Sequence, residues 1–367
     1  MKKTCCVFNY GPLYRYPIYK EMAEQLDCDF FFGDRIEHAG IKQLDSNRLK
    51  NFKGYLKTKK LYKGYIWHGG SRPVFSKQYK NYIITGQPNI LLYWLLIVYC
   101  KLTGRKIYAW THGIRREKLR WDLRLRQYLF YKSLDGLFMY NRYMCDSTIE
   151  AGIDSKKLHV IYNSLDSHVQ DEIYSTLRPS EIYHRHFGNT NPVIVFIGRI
   201  QRRMRLELII DAIEQLKNQG TVVNAVFVGP EMEDYDLKPY AAKLKDQIWF
   251  YGPSYGEQQN SELLYNADVC VVPGSIGLTA IHSLSYGTPV ITNDNFDMQM
   301  PEFEAIQDGI TGSFFHENDM ESLKAAICRW IHLAPSDRQR VRDNARMEIS
   351  KNWNVDSQTE LLRNTLN

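Results

Sequence analysis

The sequence predicts an α/β protein made of two doubly wound halves, each a parallel sheet with helices on both faces. Three observations predict it. Short apolar runs alternate with helix-length amphipathic patterns along the chain. The 367 residues exceed one domain of ordinary size. The charge changes sign between the halves: residues 1–178 hold 30 Lys and Arg against 16 Asp and Glu, and residues 179–367 hold 17 against 25. The expected domains are therefore 1–178 and 179–351, with a terminal helix over 352–367 packing back on the first.

In the first half, residues 5–9, 30–33, 65–67, 82–85, 106–111, 137–140 and 159–162 read as strands. Residues 16–26 and 89–102 read as helices. The run 90–100 is the most apolar in the chain but too short for a bilayer, which needs about 20 residues. It reads as a core helix, with partial membrane insertion as the alternative. Arg178-Pro179-Ser180 marks the linker. In the second half, strands are expected over 193–197, 224–228, 248–251 and 269–272, with another from Val290. Helices are expected over 206–216, 240–245, 261–265, 319–333 and 337–350.

Composition narrows the function classes. Seven scattered cysteines form no C-x-x-C pair, which points to reduced thiols rather than a disulfide framework or a zinc site. The N-terminal apolar run is too short for a signal peptide. The basic half should attract a polyanion such as an anionic membrane. No zinc-finger, RNA-binding or helix-turn-helix signature accompanies the charge, so nucleic acid is not an expected partner.

Residues 268–289 carry the strongest local signal. They read as a buried strand, Pro273-Gly274, then Gly277-Leu278-Thr279 opening an apolar helix, then Gly287 and a new strand. Unpaired N–H groups at such a terminus suit a phosphate. An ordinary βαβ turn fits the same pattern.

With those residues in view, the chain resembles retaining glycosyltransferases of the GT-B fold, in glycosyltransferase family 4. The resemblance covers nearly the whole chain and is strongest over 193–312. It rests on Phe196-Ile-Gly-Arg-Ile200 leading into Leu206-Glu-Leu-Ile-Ile-Asp-Ala212, on Tyr251-Gly252, on Asn266-Ala-Asp-Val-Cys270 and on the 273–289 unit. Trp110-Thr-His-Gly113 and Ile161-Tyr-Asn-Ser-Leu-Asp166 resemble the bacterial surface-polysaccharide subfamily. The resemblance implies two Rossmann-like domains with parallel sheets facing across a central cleft. It implies sugar transfer from a UDP- or GDP-linked donor to a lipid-linked or oligosaccharide acceptor, in capsule or O-antigen-type synthesis.

The implied roles fall on particular residues. Arg199, after Gly198, would face the donor diphosphate, where a guanidinium offers planar multidentate donors. The N–H groups of Gly277, Leu278 and Thr279 would face the same phosphates. His112 would align the donor sugar, and Tyr251, Gly252 and Ser254 would meet the nucleobase. Apart from the resemblance, Tyr14 and Arg15 lie in the loop after the first strand, the right place to face the acceptor, where Arg15 could meet a phosphate; a plain turn fits the same residues equally well.

Three positions depart from the family. Met204 stands where many members carry a lysine, and Arg203 or Arg205 is expected to supply its charge. Gly274 and His282 replace the family's two glutamates. His282 would hold the ribose, and Asp294, Glu302 or Glu304 would take over the sugar contact.

No cofactor or metal is expected, since no Asp-x-Asp site appears where a diphosphate-bound divalent ion would be held. Residues 115–132 carry Arg115, Arg116, Lys118, Arg120, Arg124, Arg126 and Lys132 against Glu117 and Asp122, interleaved with Trp121, Leu125 and Leu129. Such a helix suits an anionic bilayer, and a solvated surface helix is the plainer reading. The expected location is cytoplasmic, peripheral to the inner membrane. The alternatives are a GT-B-fold sugar-nucleotide epimerase or hydrolase, or a catalytically idle nucleotide-sugar-binding subunit.

Overall fold

The structure, a computed structural model, describes residues 3–35, 42–116, 120–232 and 235–367. The chain divides into two compact units: Met1–Asp166 with Asn354–Asn367, and Ser167–Trp353. The division falls earlier than the sequence boundary at 178, because the helix Ser167–Thr176 packs within the second unit.

Among the described residues the first unit holds eight strands: β1 (Thr4–Phe8), β2 (Cys28–Gly33), β3 (Phe52–Lys60), β4 (Ile66–Gly69), β5 (Asn81–Thr85), β6 (Lys106–Thr111), β7 (Gly136–Met139) and β8 (Leu158–Val160). Their order is β4-β3-β2-β1-β5-β6-β7-β8. All neighbours pair in parallel except β3 and β4, which form an antiparallel hairpin at one edge. Both faces of the central strands are covered, so alternate residues feed two cores. Cys5, Val7, Ile84, Ala109 and Met139 enter one, and Cys6, Phe8, Ile83, Trp110 and Phe138 the other.

Four helices belong to this part of the chain: α1 (Tyr16–Gln25), α2 (Leu91–Thr103), α3 (Trp121–Ser133) and α4 (Arg142–Glu150). The apolar run of the sequence is α2. Leu92, Tyr93, Leu96, Ile97 and Cys100 are buried on one side, while Leu95, Val98 and Leu102 stay exposed.

The second unit holds β9 (Val193–Ile197), β10 (Asn224–Val228), β11 (Ile248–Gly252), β12 (Val269–Val272), β13 (Val290–Asn293) and β14 (Gly312–Phe315), all parallel. Their order is β11-β10-β9-β12-β13-β14. That is the doubly wound order 3-2-1-4-5-6, whose direction reverses between β9 and β12. Its helices are α5 (Ser167–Thr176), α6 (Ile182–Phe187), α7 (Glu207–Asn218), α8 (Glu257–Asn266), α9 (Thr279–Ser285), α10 (Met320–Ile331) and α11 (Pro335–Asn352).

The last helix, α12 (Val355–Leu366), returns to the first unit and lies on α1. Val355, Leu362 and Leu366 join the core of that face. Asn81 Nδ2 donates to Leu366 O at 2.7 Å, and Ser164 Oγ donates to Gln358 Oε1 at 2.7 Å.

Candidate functional site

In an open parallel sheet, ligands bind beyond the carboxyl ends of the strands where the winding reverses. In the second unit that place lies between the ends of β9 and β12. Gly198 and Arg199 follow β9, and the turn 273–278 follows β12. The two are tied together by Thr279, whose hydroxyl donates to Ile197 O at 2.8 Å. The hydrogen bonds of α9 begin with Ala280 N–H to Gly277 O at 2.9 Å. The N–H groups of Gly277, Leu278 and Thr279 precede that bond.

Side chains missed by the sequence reading hold this turn. Gln299, buried, accepts from Ile276 N–H at 2.7 Å and donates to Gly274 O at 3.2 Å. Asn293 Nδ2 donates to Pro273 O at 2.7 Å and to Gly274 O at 3.1 Å. A backbone locked by buried amides keeps its N–H groups fixed in direction, as an anion site requires. Their signal in sequence was only that two amides follow a strand at the right edge.

The arginines separate by environment. Arg203 keeps its tip open to solvent. Partial burial and the neighbouring charge of Arg199 push its pKa down, and Glu302 pulls it back up. Arg199 and Arg203 are thus close enough to repel. Arg205 turns away through a left-handed conformation, φ 54°, and its guanidinium lies 3.9 Å from Glu317. Met204 is buried below them.

Gly274 sits against backbone. A Cβ there would stand 2.0 Å from Arg203 O and 2.7 Å from Met204 C, so no glutamate fits. Among the three acidic residues expected to replace it, Asp294 is engaged by His316 Nδ1 at 2.7 Å and by Glu317 N–H at 3.0 Å. Glu302 is buried close to the turn: a Cβ on Gly277 would lie 3.9 Å from its Oε2. Glu304 is partly buried.

His282 belongs to a second cluster. Its Nε2 meets Glu257 Oε1 at 3.0 Å, and the same oxygen accepts from Tyr286 OH at 2.7 Å and Gln170 Nε2 at 3.1 Å. Burial would raise the Glu257 carboxyl, but His282, Tyr286 and Gln170 together bring it down to about 2. Only the other ring nitrogen of His282 can then face a ligand. Glu257 opens α8 directly after the loop that carries Gly252 and Ser254, so this cluster is continuous with the expected nucleobase loop. Gly252 O accepts from Gly229 N–H at 2.9 Å, and Ser254 Oγ is buried with no partner among the described residues. Tyr251 rests on Trp249, ring centroids 5.0 Å apart.

In the first unit, His112 follows β6 and lies on the Tyr140 ring, centroids 4.5 Å apart. Its position is fixed by Gly113, φ 73°, where a Cβ would stand 2.4 Å from both Met139 Cε and Thr148 Oγ1. Burial, then the charges of Arg115 and Arg15, bring the His112 pKa down to about 3, so the ring is neutral at pH 7. Its Nδ1 is buried with no partner among the described residues. Tyr14 and Arg15 come to the same corner: the Arg15 guanidinium carbon lies 5.0 Å from the Trp110 and Tyr140 rings and 5.9 Å from Tyr14.

The basic segment is partly neutralised. Arg116 is bidentate on Glu150 at 2.8 and 3.0 Å, and Arg120 on Asp122 at 2.9 and 3.1 Å. Arg126 stacks on Tyr65 at 5.0 Å, and Arg124 is exposed. Lys118 lies outside the described residues. Trp121, Leu125 and Leu129 form an exposed stripe at fourth-residue spacing on α3. No helix among the described residues is long and apolar enough to cross a membrane. Among them, no three His, Cys, Asp or Glu side chains gather as a metal ion would need.

Comparison with known proteins agrees with this layout. Residues 181–348 match the family model of glycosyl transferases group 1. An uncharacterised 41.2 kDa protein in the cps region of Klebsiella pneumoniae is 24% identical over 230 residues, covering 61% of this chain and 59% of that protein. The chain thus spans little more than half of that relative. HepE of Anabaena, solved with UDP, superposes with a TM-score of 0.74 at 15% identity, covering 99% of each chain. A glycosyltransferase of Rickettsia africae superposes with a TM-score of 0.74 at 16% identity, covering 100% of this chain and 98% of that one. The architecture is that of GT-B glycosyltransferase structures.

Proposed function

We propose that the protein is a retaining glycosyltransferase that moves a sugar from a UDP- or GDP-linked donor to a lipid-linked or oligosaccharide acceptor in capsule or O-antigen-type synthesis. The observation that carries this reading is the pair Arg199 and Arg203, close enough to repel, beside the fixed N–H groups of 277–279. A diphosphate would relieve that repulsion. As the sugar leaves, charge grows on the diphosphate, and donors already aimed there stabilise the transition state more than the ground state. The reaction then needs no metal ion. Arg203 takes over from the family lysine, and Glu302, buried beside Gly277, is the acidic group for the sugar contact. His112, neutral, can accept or donate a hydrogen bond to the donor sugar without adding charge.

HepE, solved with UDP, supports a nucleotide-sugar donor, and the Klebsiella relative supports a polysaccharide role. The exposed apolar stripe of α3 with Arg124 supports attachment to the cytoplasmic face of the inner membrane. The test is turnover against UDP-, GDP- and dTDP-sugars with a lipid-diphosphate acceptor. Arg199→Ala is expected to lower turnover about 100-fold or more, the usual effect of removing one preorganised donor. Unchanged turnover would remove Arg199 from the mechanism.

A further inference from the structure

Arg15 is a cation without an anion. Among the described residues no carboxylate pairs with it. Burial would lower its pKa, but the hydroxyls of Tyr14 and Tyr19 raise it again, so it stays charged. Its walls are aromatic: Trp110 and Tyr140 at 5.0 Å, and Tyr14 at 5.9 Å. Such faces hold a guanidinium weakly, by about 0.5–2 kcal/mol. Two hydroxyls also leave most of its five N–H groups unused.

A second observation points the same way. Trp110 is 2% exposed, and its Nε1–H has no hydrogen-bond partner among the described residues. A buried indole N–H normally finds one. This donor belongs to the ring that Arg15 covers. His112 Nδ1 on the neighbouring Tyr140 ring is likewise buried without a partner. The corner lies at the carboxyl ends of β6 and β7, where α1 begins. It gathers a fixed cation and neutral nitrogen groups, and no carboxylate among the described residues pairs with the cation.

We propose that Arg15, backed by Trp110, binds the phosphate of a phosphorylated acceptor. A phosphate suits the corner better than a carboxylate, because its oxygens are arranged tetrahedrally and not in one plane, so separate oxygens can meet the guanidinium and the indole N–H. The inference rests on the transferase reading and adds the chemical class of acceptor. Arg15 and His112 lie on the same Tyr140 ring. If His112 aligns the reacting sugar, the phosphate sits near the attacking hydroxyl. That geometry fits an acceptor whose sugar is attached directly to phosphate, and does not fit a long neutral glycan.

The test uses the full chain saturated with UDP, so that the second unit's phosphate site is filled. Glucose 1-phosphate and methyl glucoside are titrated against wild type, Arg15→Gln and Arg15→Lys, following heat or tryptophan fluorescence. In wild type the phosphate form should bind at least about tenfold more tightly, the usual scale of a charge-assisted hydrogen bond. Arg15→Gln should abolish that preference and leave UDP affinity within twofold, and Arg15→Lys should keep only part of it. A preference that survives Arg15→Gln overturns the proposal, as does equal binding of the two soluble sugars by wild type when the third arm shows no Arg15-dependent binding either. A third arm, a polyprenyl-diphosphate sugar in micelles, identifies the source: Arg15-dependent binding there but not of the soluble ester means a lipid acceptor. Failure of UDP and GDP to bind sinks the donor reading instead. The same titrations without nucleotide then still decide whether Arg15 selects phosphate.

Discussion

A side chain at Gly274 has nowhere to go, since its Cβ would overlap the carbonyl of Arg203 at 2.0 Å. Backbone cannot swing aside as a flexible side chain can, so Gly274→Ala should cost about 1–3 kcal/mol, the scale of overpacking. Urea unfolding of the second unit checks this. Gly274→Glu should weaken nucleotide binding, not improve it, for the same steric reason. Glu257 gives a pH prediction. Its folded pKa of about 2 is below the ordinary 4.5. The cluster's stabilisation is therefore present above pH 4.5 and is lost as pH falls toward 2. Glu257→Gln should flatten the acid limb of a stability-against-pH curve; an unchanged limb would show that the cluster carries none of it. The sequence exposed His282 as an anomaly but not its partner, because Glu257 lies 25 residues away on another helix. The positions of Arg199 and Gly277 after β9 and β12 were legible because each lies within a few residues of a strand end.

Elements with one apolar period were legible; those with mixed faces were not. β9 and β12 are fully buried and read as short apolar runs. β3 carries Lys53, Lys57, Lys59 and Lys60 and buries only Leu56, so it reads as a basic cluster. It is a strand because β2 and β4 supply its partners on both sides, which no local pattern records. Two predictions belong at this scale. Gln299→Ala leaves the buried Ile276 N–H without its acceptor. It should destabilise the second unit by about 1–3 kcal/mol, and nucleotide affinity should fall with it, read by calorimetry and denaturation together. On α3, Leu125 and Leu129 are about half exposed, 47% and 46%. Replacing both by Ser should change stability by no more than about 0.5 kcal/mol each. If α3 touches a bilayer, sedimentation with anionic vesicles should fall several-fold and become less sensitive to salt. Unaltered sedimentation would leave α3 as an ordinary surface helix.

At the scale of the whole molecule the chain crosses between its units twice, leaving the first after Asp166 and returning at Asn354. The sequence showed two halves through their charge, but charge describes surfaces and does not locate a crossing. The boundary follows α5, which packs with α8 and α9 in the acidic half although it precedes the composition change at 178. The return of α12 means that the first unit's core needs residues from the far end of the chain. Leu362 is fully buried there. Leu362→Ala should cost about 2–5 kcal/mol. A nucleotide that binds only the second unit stabilises only that unit, by RT ln(1 + [L]/Kd), about 2.7 kcal/mol at a hundredfold excess over Kd. The two perturbations should therefore act on different amides in hydrogen exchange. Leu362→Ala should accelerate exchange in β1, β5 and β6, while UDP slows exchange in β9 and β12. If UDP protection reaches β1 and β6 to the same degree, the units unfold as one, and their division into independent folding units is wrong.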